Sequence, residues 1–368
     1  MNSPQFALKR LKAQMHKPQP HYRSLDQDLD LALDEAKGVI HNLSGAHILL
    51  TGGTGFIGCW LLELIRHAVN TLGIQVRVTV LTRNPKAFML KAPHLASCSA
   101  FDFLEGNILD FNATLEKFTH IIHGATDASA ELNEHDPLLM YSTIVEGTRR
   151  ILEIARQTPN VRLLFLSSGA VYGAQPWDTE RVGEDFSGGP DPTVARNAYG
   201  EAKRAAEMLC AIFHKQFGVV TVIARVFTLL GPYLSLGTHF AAGNFISDAM
   251  QGRPITVNGN GLPRRSYMYA GDLVVWLLHL LFQGKPCRPY NVGSEQSVSI
   301  AELAQTVADV LGDGRSMVLG AADQGWNPGR YVPCTSRMRD EFGVRETVDF
   351  QQSILRTAIW NGWRGKSQ

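Results

Sequence analysis

Cysteine is sparse and unpaired in this sequence: Cys59, Cys98, Cys210, Cys287 and Cys334 are five in 368 residues, with no CxxC spacing. An odd, dispersed set argues against a disulfide framework and predicts a cytoplasmic protein. Cys59 and Cys210 fall inside apolar helical patterns and read as small buried hydrophobes. The 12 histidines are equally scattered and supply no zinc-ligand cluster, so no metal is expected. Neither sign of charge is in excess, since 35 Lys and Arg against 34 Asp and Glu leave a formal net charge of +1. That balance gives no electrostatic footprint for nucleic acid or an anionic membrane. No apolar run reaches the roughly 18 residues of a membrane span. The opening MNSPQFALKRLKAQMHKPQP carries scattered charges and no apolar stretch of the kind a signal peptide needs. What is present, at 45% hydrophobic and 19% charged, suits a folded globular chain. Its length allows one large α/β unit or two lobes sharing a core.

Three regions follow from the pattern. Residues 1–45 form an N-terminal helical extension, in which LDQDLDLALDEAKGVIHNLSG reads as an amphipathic helix packing on the main domain or a subunit. From His47 strands and helices alternate: HILLTG, VRVTVLTR, FDFLEGNILD, HIIHGAT, VRLLFLSS and VVTVIARVF are strand segments with helical stretches between them. Near-continuous apolar strands with intervening helices imply an α/β fold, a Rossmann-like doubly wound parallel sheet covered on both faces. Residues 46–227, with segments returning from the C-terminal part, make the dinucleotide-binding domain. Residues 228–368 are mainly a smaller C-terminal α/β substrate lobe over the sheet's carboxyl edge.

Strand HILL runs into Thr51-Gly52-Gly53-Thr54-Gly55-Phe56-Ile57-Gly58 and then a helix. Gly52, Gly55 and Gly58 allow a tight turn, close approach to a pyrophosphate and helix-on-strand packing. The helix start at Phe56 and Ile57 then offers its amides and positive dipole end to phosphate. The second strand ends in Arg83 and Asn84 where an acidic residue would bind the ribose of NAD(H). Arginine suits the 2′-phosphate of NADP(H), which is therefore favoured with NAD(H) as the alternative; an arginine stacked on adenine would suit both.

Tyr199-Gly200-Glu201-Ala202-Lys203 sets a phenol and an ammonium one helical turn apart, on one face. A nearby cation stabilises phenolate, which tunes tyrosine for acid/base work, although the same spacing serves an exposed helical pair. VRLLFLSS ends at Ser168, at the carboxyl edge, where a hydroxyl either meets a substrate oxygen or makes an ordinary turn bond.

TGGTGFIG, HGAT, SSGAVYG, YGEAK, ARVFTLLGP and RSYMYAGDL occur in this order over residues 46 to 355. Together they closely resemble the extended short-chain dehydrogenase/reductases, in their sugar-nucleotide epimerase/dehydratase branch. The resemblance implies Tyr199 as acid/base, Lys203 on the nicotinamide ribose and lowering the tyrosine pKa, and Ser168 holding the reacting oxygen. It also implies that Asn107 and Ile108 meet the adenine and that Gly124 and Ala125 line the cofactor. Asn244, Arg265 and Arg330 resemble the diphosphate contacts of a nucleotide-sugar substrate, against the alternative of surface ion pairs. A homodimer through residues 137–157 and 197–217 is implied too, though core packing explains the same apolar faces.

Departures from the family pattern narrow the chemistry. Gly169 and Ala170 stand where the resembled dehydratases carry Asp-Glu, and decarboxylases keep a glutamate at the place of Ala170. Elimination needs an acid and a base at adjoining carbons, so both reactions are disfavoured. The expectation is a 4-ketoreductase on a 4-keto nucleotide sugar, since such reductases run on NADPH. The alternatives are a 4-epimerase that keeps NAD bound, a 4,6-dehydratase-like enzyme or small-carbonyl reductase, and a cofactor-sensing protein without activity. Ile144 replaces a usual asparagine and removes a cofactor-side or helix-anchoring contact. Thr228 replaces another that often meets substrate phosphate. Glu184 and Asp185 read as a solvated loop near the pocket.

Overall fold

A computed structural model describes residues 22–111, 117–126, 130–237, 240–312, 315–318 and 329–365. Its main sheet has seven strands: β1 His47–Thr51, β2 Arg77–Thr82, β3 Phe101–Glu105, β4 His120–His123, β5 Arg162–Ser168, β6 Val220–Val226 and β7 Pro289–Val292. They lie in the order β7-β6-β5-β4-β1-β2-β3, and every neighbouring pair is parallel. The Rossmann-like doubly wound sheet expected from the pattern is therefore present. Its strands are apolar on both faces because both are covered, and Ile48, Leu49 and Leu50 of β1 are all buried. The strand order reverses between β1 and β4, which puts the ligand crevice at their carboxyl ends.

Strand β7 is the one that hydrophobic patterning did not single out. It is four residues long, starts with Pro289 and includes Asn291. It pairs on one side only, with β6, and an edge position tolerates proline.

Five helices matter for the site: α1 Tyr22–Glu35, α2 Phe56–Leu72, α3 Pro137–Gln157, α4 Ala198–Phe217 and α5 Ala270–Gln283. The first turn of α3 is set by its sequence, with Pro137 at the start and the Asp136 carboxylate accepting from the Leu139 amide. Helix α1 buries Leu25, Leu29, Ala32 and Leu33 against α2 and α5, inside the same core as the sheet. Each leucine taken out of water this way contributes about 1.5–3 kcal/mol. Asp28 lies in that interface at 4% exposure. It accepts from the Tyr269 hydroxyl and the Arg356 guanidinium, which compensates its desolvation. The first 21 residues of the extension lie outside the described residues.

The smaller lobe packs helices Ala241–Met250, Ile300–Leu311 and Phe350–Trp360 around Ile246, Leu303 and Ile354. A capping box between Ser299 and Glu302 opens Ile300–Leu311. One short ribbon bears on the site: Arg330–Tyr331 runs parallel to Arg264–Arg265, with Arg330 opposite Arg264 and Tyr331 opposite Arg265. Among the described residues no helix is long and apolar enough to cross a membrane, and no three His, Cys, Asp or Glu side chains cluster as metal ligands. Cys59 and Cys210 are fully buried, and burial pushes both thiols well above their ordinary range.

Candidate active site

The glycine turn closes against the end of β4. Gly52 has φ 75°, and a Cβ there would lie 2.5 Å from the Gly124 carbonyl oxygen. On Gly58 a Cβ would stand 2.4 Å from the Gly52 carbonyl oxygen, so α2 rests directly on the turn. Helix α2 opens at Gly55 with no side-chain cap and no acidic residue in its first turn, where Phe56 and Ile57 lie. Those properties fit a dinucleotide pyrophosphate. Lys91 adds a cation that motif reading missed: its Nζ donates to the Thr54 carbonyl oxygen at 2.9 Å. Arg83 is exposed just beyond β2, and Asn107 is exposed just beyond β3. The Asn107 Oδ1 accepts from the Leu109 amide at 3.1 Å, while Ile108 is buried against Gly147 of α3.

His123 joins this turn to α3. Its Nδ1 is 2.7 Å from Thr51 Oγ1 and its Nε2 is 3.1 Å from Thr148 Oγ1. The Ala125 amide donates to Thr51 Oγ1, and the Thr148 hydroxyl donates to the Ile144 carbonyl. Only one assignment satisfies every group: Thr51 donates to Nδ1, and Nε2–H donates to Thr148. Burial lowers the imidazole pKa to about 3, with the charge of Lys203 adding to the effect, so it stays neutral as this chain requires. Thr148 therefore ties α3 to the end of β4 one turn after Ile144, and Ile144 itself is buried in the core.

Strand β5 delivers Ser168, 7% exposed, to the crevice. Its Oγ accepts from the Ala170 amide at 3.1 Å, so the turn bond exists alongside any role towards a ligand. Helix α4 brings Tyr199 and Lys203 to the same place. Lys203 is 2% exposed, and its Nζ donates to the Leu166 carbonyl at 2.8 Å and sits 5.9 Å from the Tyr199 ring centre. They are therefore not an exposed helical pair. Burial lowers the Lys203 pKa to about 8, against the pull of nearby Glu207. Burial pushes the Tyr199 phenol above its ordinary range, and a hydrogen bond with Ser168 draws it part of the way back. Behind them Glu207 accepts from Ser167 at 2.6 Å and from the Arg225 fork at 2.7 Å, a charge-matched brace between α4, β5 and β6.

A second phenol completes the centre. The Tyr331 hydroxyl lies 3.4 Å from Ser168 Oγ, and its ring packs tilted against Phe227 at 4.6 Å between centres. A Cβ on Gly169 would meet Phe227 at 2.6 Å and the Tyr331 oxygen at 2.7 Å. Of the two places where the resembled dehydratases carry carboxylates, the first, Gly169, is closed by packing, and the second holds the short side chain of Ala170. No periodicity announces Tyr331, because its strand is two residues long. Arg265 lies beside it, its guanidinium 6.0 Å from the Tyr331 ring centre. Arg330 belongs to the other register pair, opposite Arg264, so the two expected phosphate arginines do not share a pair. Asn244 is half-buried on Ala241–Met250. Glu184 corrects the expectation of a solvated loop: it is buried and accepts from the Asn291 amide at 2.9 Å. Asp185 is exposed and pairs with Arg337 at 3.0 Å.

The chain as a whole is similar to known proteins. Over 325 residues the chain is 28% identical to UDP-glucuronic acid decarboxylase 1 of Arabidopsis thaliana, covering 87% of this chain and 72% of the plant protein. The UDP-glucose 4-epimerase of Thermus thermophilus, solved with NAD, superposes with a TM-score of 0.70 at 25% identity, covering 86% of this chain and 99% of that one. The dTDP-glucose 4,6-dehydratase of Bacillus anthracis, also solved with NAD, gives a TM-score of 0.71 at 21% identity over 86% and 96%. The family model for the NAD dependent epimerase/dehydratase family matches residues 48–293. With two-thirds of its length under that model, the chain belongs to the NAD dependent epimerase/dehydratase family.

Proposed function

We propose that this protein transfers a hydride at one carbon, C4, of a nucleotide-diphosphate sugar, as a 4-ketoreductase. The observation that carries this reading is the pairing of an intact Ser168, Tyr199 and Lys203 centre with a Gly169 position closed by Phe227 and Tyr331. That centre can protonate an oxygen, but it carries no carboxylate pair to drive elimination at a neighbouring carbon. The nicotinamide supplies the hydride. Tyr199 delivers its phenolic proton to the C4 oxygen, Ser168 donates a hydrogen bond to that oxygen, and Lys203 holds the ribose side and supports the phenolate. Asn244, Arg265 and Arg330 are assigned to the substrate diphosphate. A second reading, 4-epimerisation with retained NAD, is favoured by the NAD-bound epimerase likeness.

The cofactor separates the two. Arg83 in the position of a 2′-phosphate partner supports NADPH. Arg83→Ala is then expected to weaken NADPH binding about 10- to 100-fold and NADH binding little, as for loss of one charge-assisted contact. Titrating both cofactors by nicotinamide fluorescence measures it. Dinucleotide released on denaturation and identified as NAD by mass spectrometry, with no NADPH preference, would instead select the epimerase. Failure to turn over any 4-keto or 4-hydroxy nucleotide sugar with either cofactor would sink both.

A homodimer is also proposed, through the outer faces of α3 and α4. Leu138 and Tyr141 on α3, and Met208 and Ile212 on α4, are exposed apolar side chains on two helices that pack together. Met208→Glu is expected to shift the mass measured by light scattering from two chains to one. A wild-type mass of one chain ends this part of the proposal.

A further inference from the structure

The backbone beside Tyr331 and its ring are held in place, which sets the hydroxyl 3.4 Å from Ser168 Oγ. Three anchors fix this tyrosine. The Val332 amide next to it donates to Gln175 Oε1 at 3.0 Å. Val182 and Val332 bond at 2.9 Å, and Cys334 returns a bond to Val182 at 2.8 Å. Its ring lies against Phe227, and Gly169 has no Cβ to push it away.

A serine oxygen can accept twice and donate once. One lone pair of Ser168 Oγ already takes the Ala170 amide. A phenol is a stronger acid than an aliphatic alcohol and a poorer acceptor, so between Tyr331 and Ser168 the phenol donates. With both lone pairs filled, the Ser168 proton has one use left: it points at Tyr199 or at a substrate oxygen lying between them. We propose that Tyr331 is a positioning residue, whose hydroxyl donates to Ser168 Oγ and so commits the serine proton to the reacting oxygen and the Tyr199 phenol. The three hydroxyls form one directed chain, Tyr331 to Ser168 to Tyr199. No proton leaves Tyr331 in this scheme. Arg265 beside its ring places the same residue against the arm assigned to the substrate diphosphate, so seating of the phosphate and alignment of the serine share one strand pair.

This inference rests on the hydride-transfer reading, and the test separates the two. Tyr331→Phe keeps the ring on Phe227 and removes only the oxygen. In the reduction assay kcat is expected to fall about tenfold, the size of one neutral hydrogen bond, with KM nearly unchanged. A double-mutant cycle supplies the decisive comparison: in a Ser168→Ala background, Tyr331→Phe is expected to do nothing further. Additive losses, or a Tyr331→Phe enzyme within twofold of wild type, overturn the proposal. Independently of any substrate, tyrosinate absorbance can follow Tyr199, taken as the difference between each protein and its Tyr199→Phe counterpart. Among the described residues, the charged and titratable groups shown beside that phenol are Lys203 and Tyr331, with the neutral Ser168 hydroxyl hydrogen-bonded to it. Tyr199 is expected to ionise at higher pH in Tyr331→Phe than in wild type, and at the same pH whether or not Tyr331 is present once Ser168 is alanine. If no nucleotide sugar is turned over, the functional reading fails while this titration still decides Tyr331; an unchanged titration overturns the Tyr331 assignment alone.

Discussion

Tyr199→Phe is expected to lower the rate of keto reduction about 10²- to 10⁴-fold, the range supplied by a positioned general acid, with cofactor binding kept. The Tyr199 phenol stands beside both Ser168 and Lys203, where its proton can reach an oxygen held by the serine. Burial holds it protonated at neutral pH, which is the form that reduction consumes. The sign of the pH effect follows. Reduction by the wild type holds steady near neutrality and declines as rising pH removes the Tyr199 proton, whereas oxidation of the alcohol gains over the same rise. The phenylalanine variant loses both limbs. Steady-state rates of nicotinamide absorbance change against pH, in each direction, measure this. A variant within tenfold of wild type, or one that keeps an alkaline limb above the range near 8 in which Lys203 itself discharges, means that another group is the acid.

An alanine at Gly52 is expected to be as damaging, for a reason of shape rather than chemistry. The residue sits at φ 75°, and its Cβ would overlap a backbone carbonyl that cannot swing aside as a side chain can. Left-handed strain costs about 1–3 kcal/mol, and overpacking against fixed atoms adds about 1–3 kcal/mol. The expected loss is therefore about 2–6 kcal/mol of stability, together with dinucleotide binding, because the clash opens the turn from β4. Urea unfolding with and without NADH measures both quantities. Gly52→Ala with wild-type stability and affinity would mean that Gly124 and Ala125 move freely, contrary to the chain of bonds through Thr51, His123 and Thr148.

How much of this was legible beforehand depends on how far apart the interacting residues are. The glycine turn, the strand-end serine and the tyrosine-lysine pair are local patterns, and each sits where strand and helix periodicity put it. Six of the seven sheet strands read as strand segments, whereas β7 opens on Pro289, includes Asn291 and borrows its place from β6. Tyr331 was out of reach because 163 positions separate it from Ser168 and two-residue strands leave no period to detect. His123 was quoted only as part of HGAT. Its bonds to Thr51 and Thr148 reach 72 and 25 positions along the chain, which pattern counting does not see. Glu184 looked solvated because its neighbours are polar, but an edge strand's free amide needed an acceptor and took it.

The salt-bridged Asp28 also bears on the order in which the molecule can be finished. It lies on the first described helix, and its partner Arg356 is 328 residues later. During synthesis α1 emerges early with its leucine face and one carboxylate waiting for groups that do not yet exist. The nucleotide-binding sheet can assemble around β1 to β6 in the meantime, but the seat of α1 is complete only when the last helix arrives. Closing so long a loop adds little to the equilibrium cost, since that cost grows only with the logarithm of length. Its weight falls on timing: the seat of α1 is consolidated only after Phe350–Trp360 has been made, and until then the exposed face of α1 is the surface a chaperone would meet first.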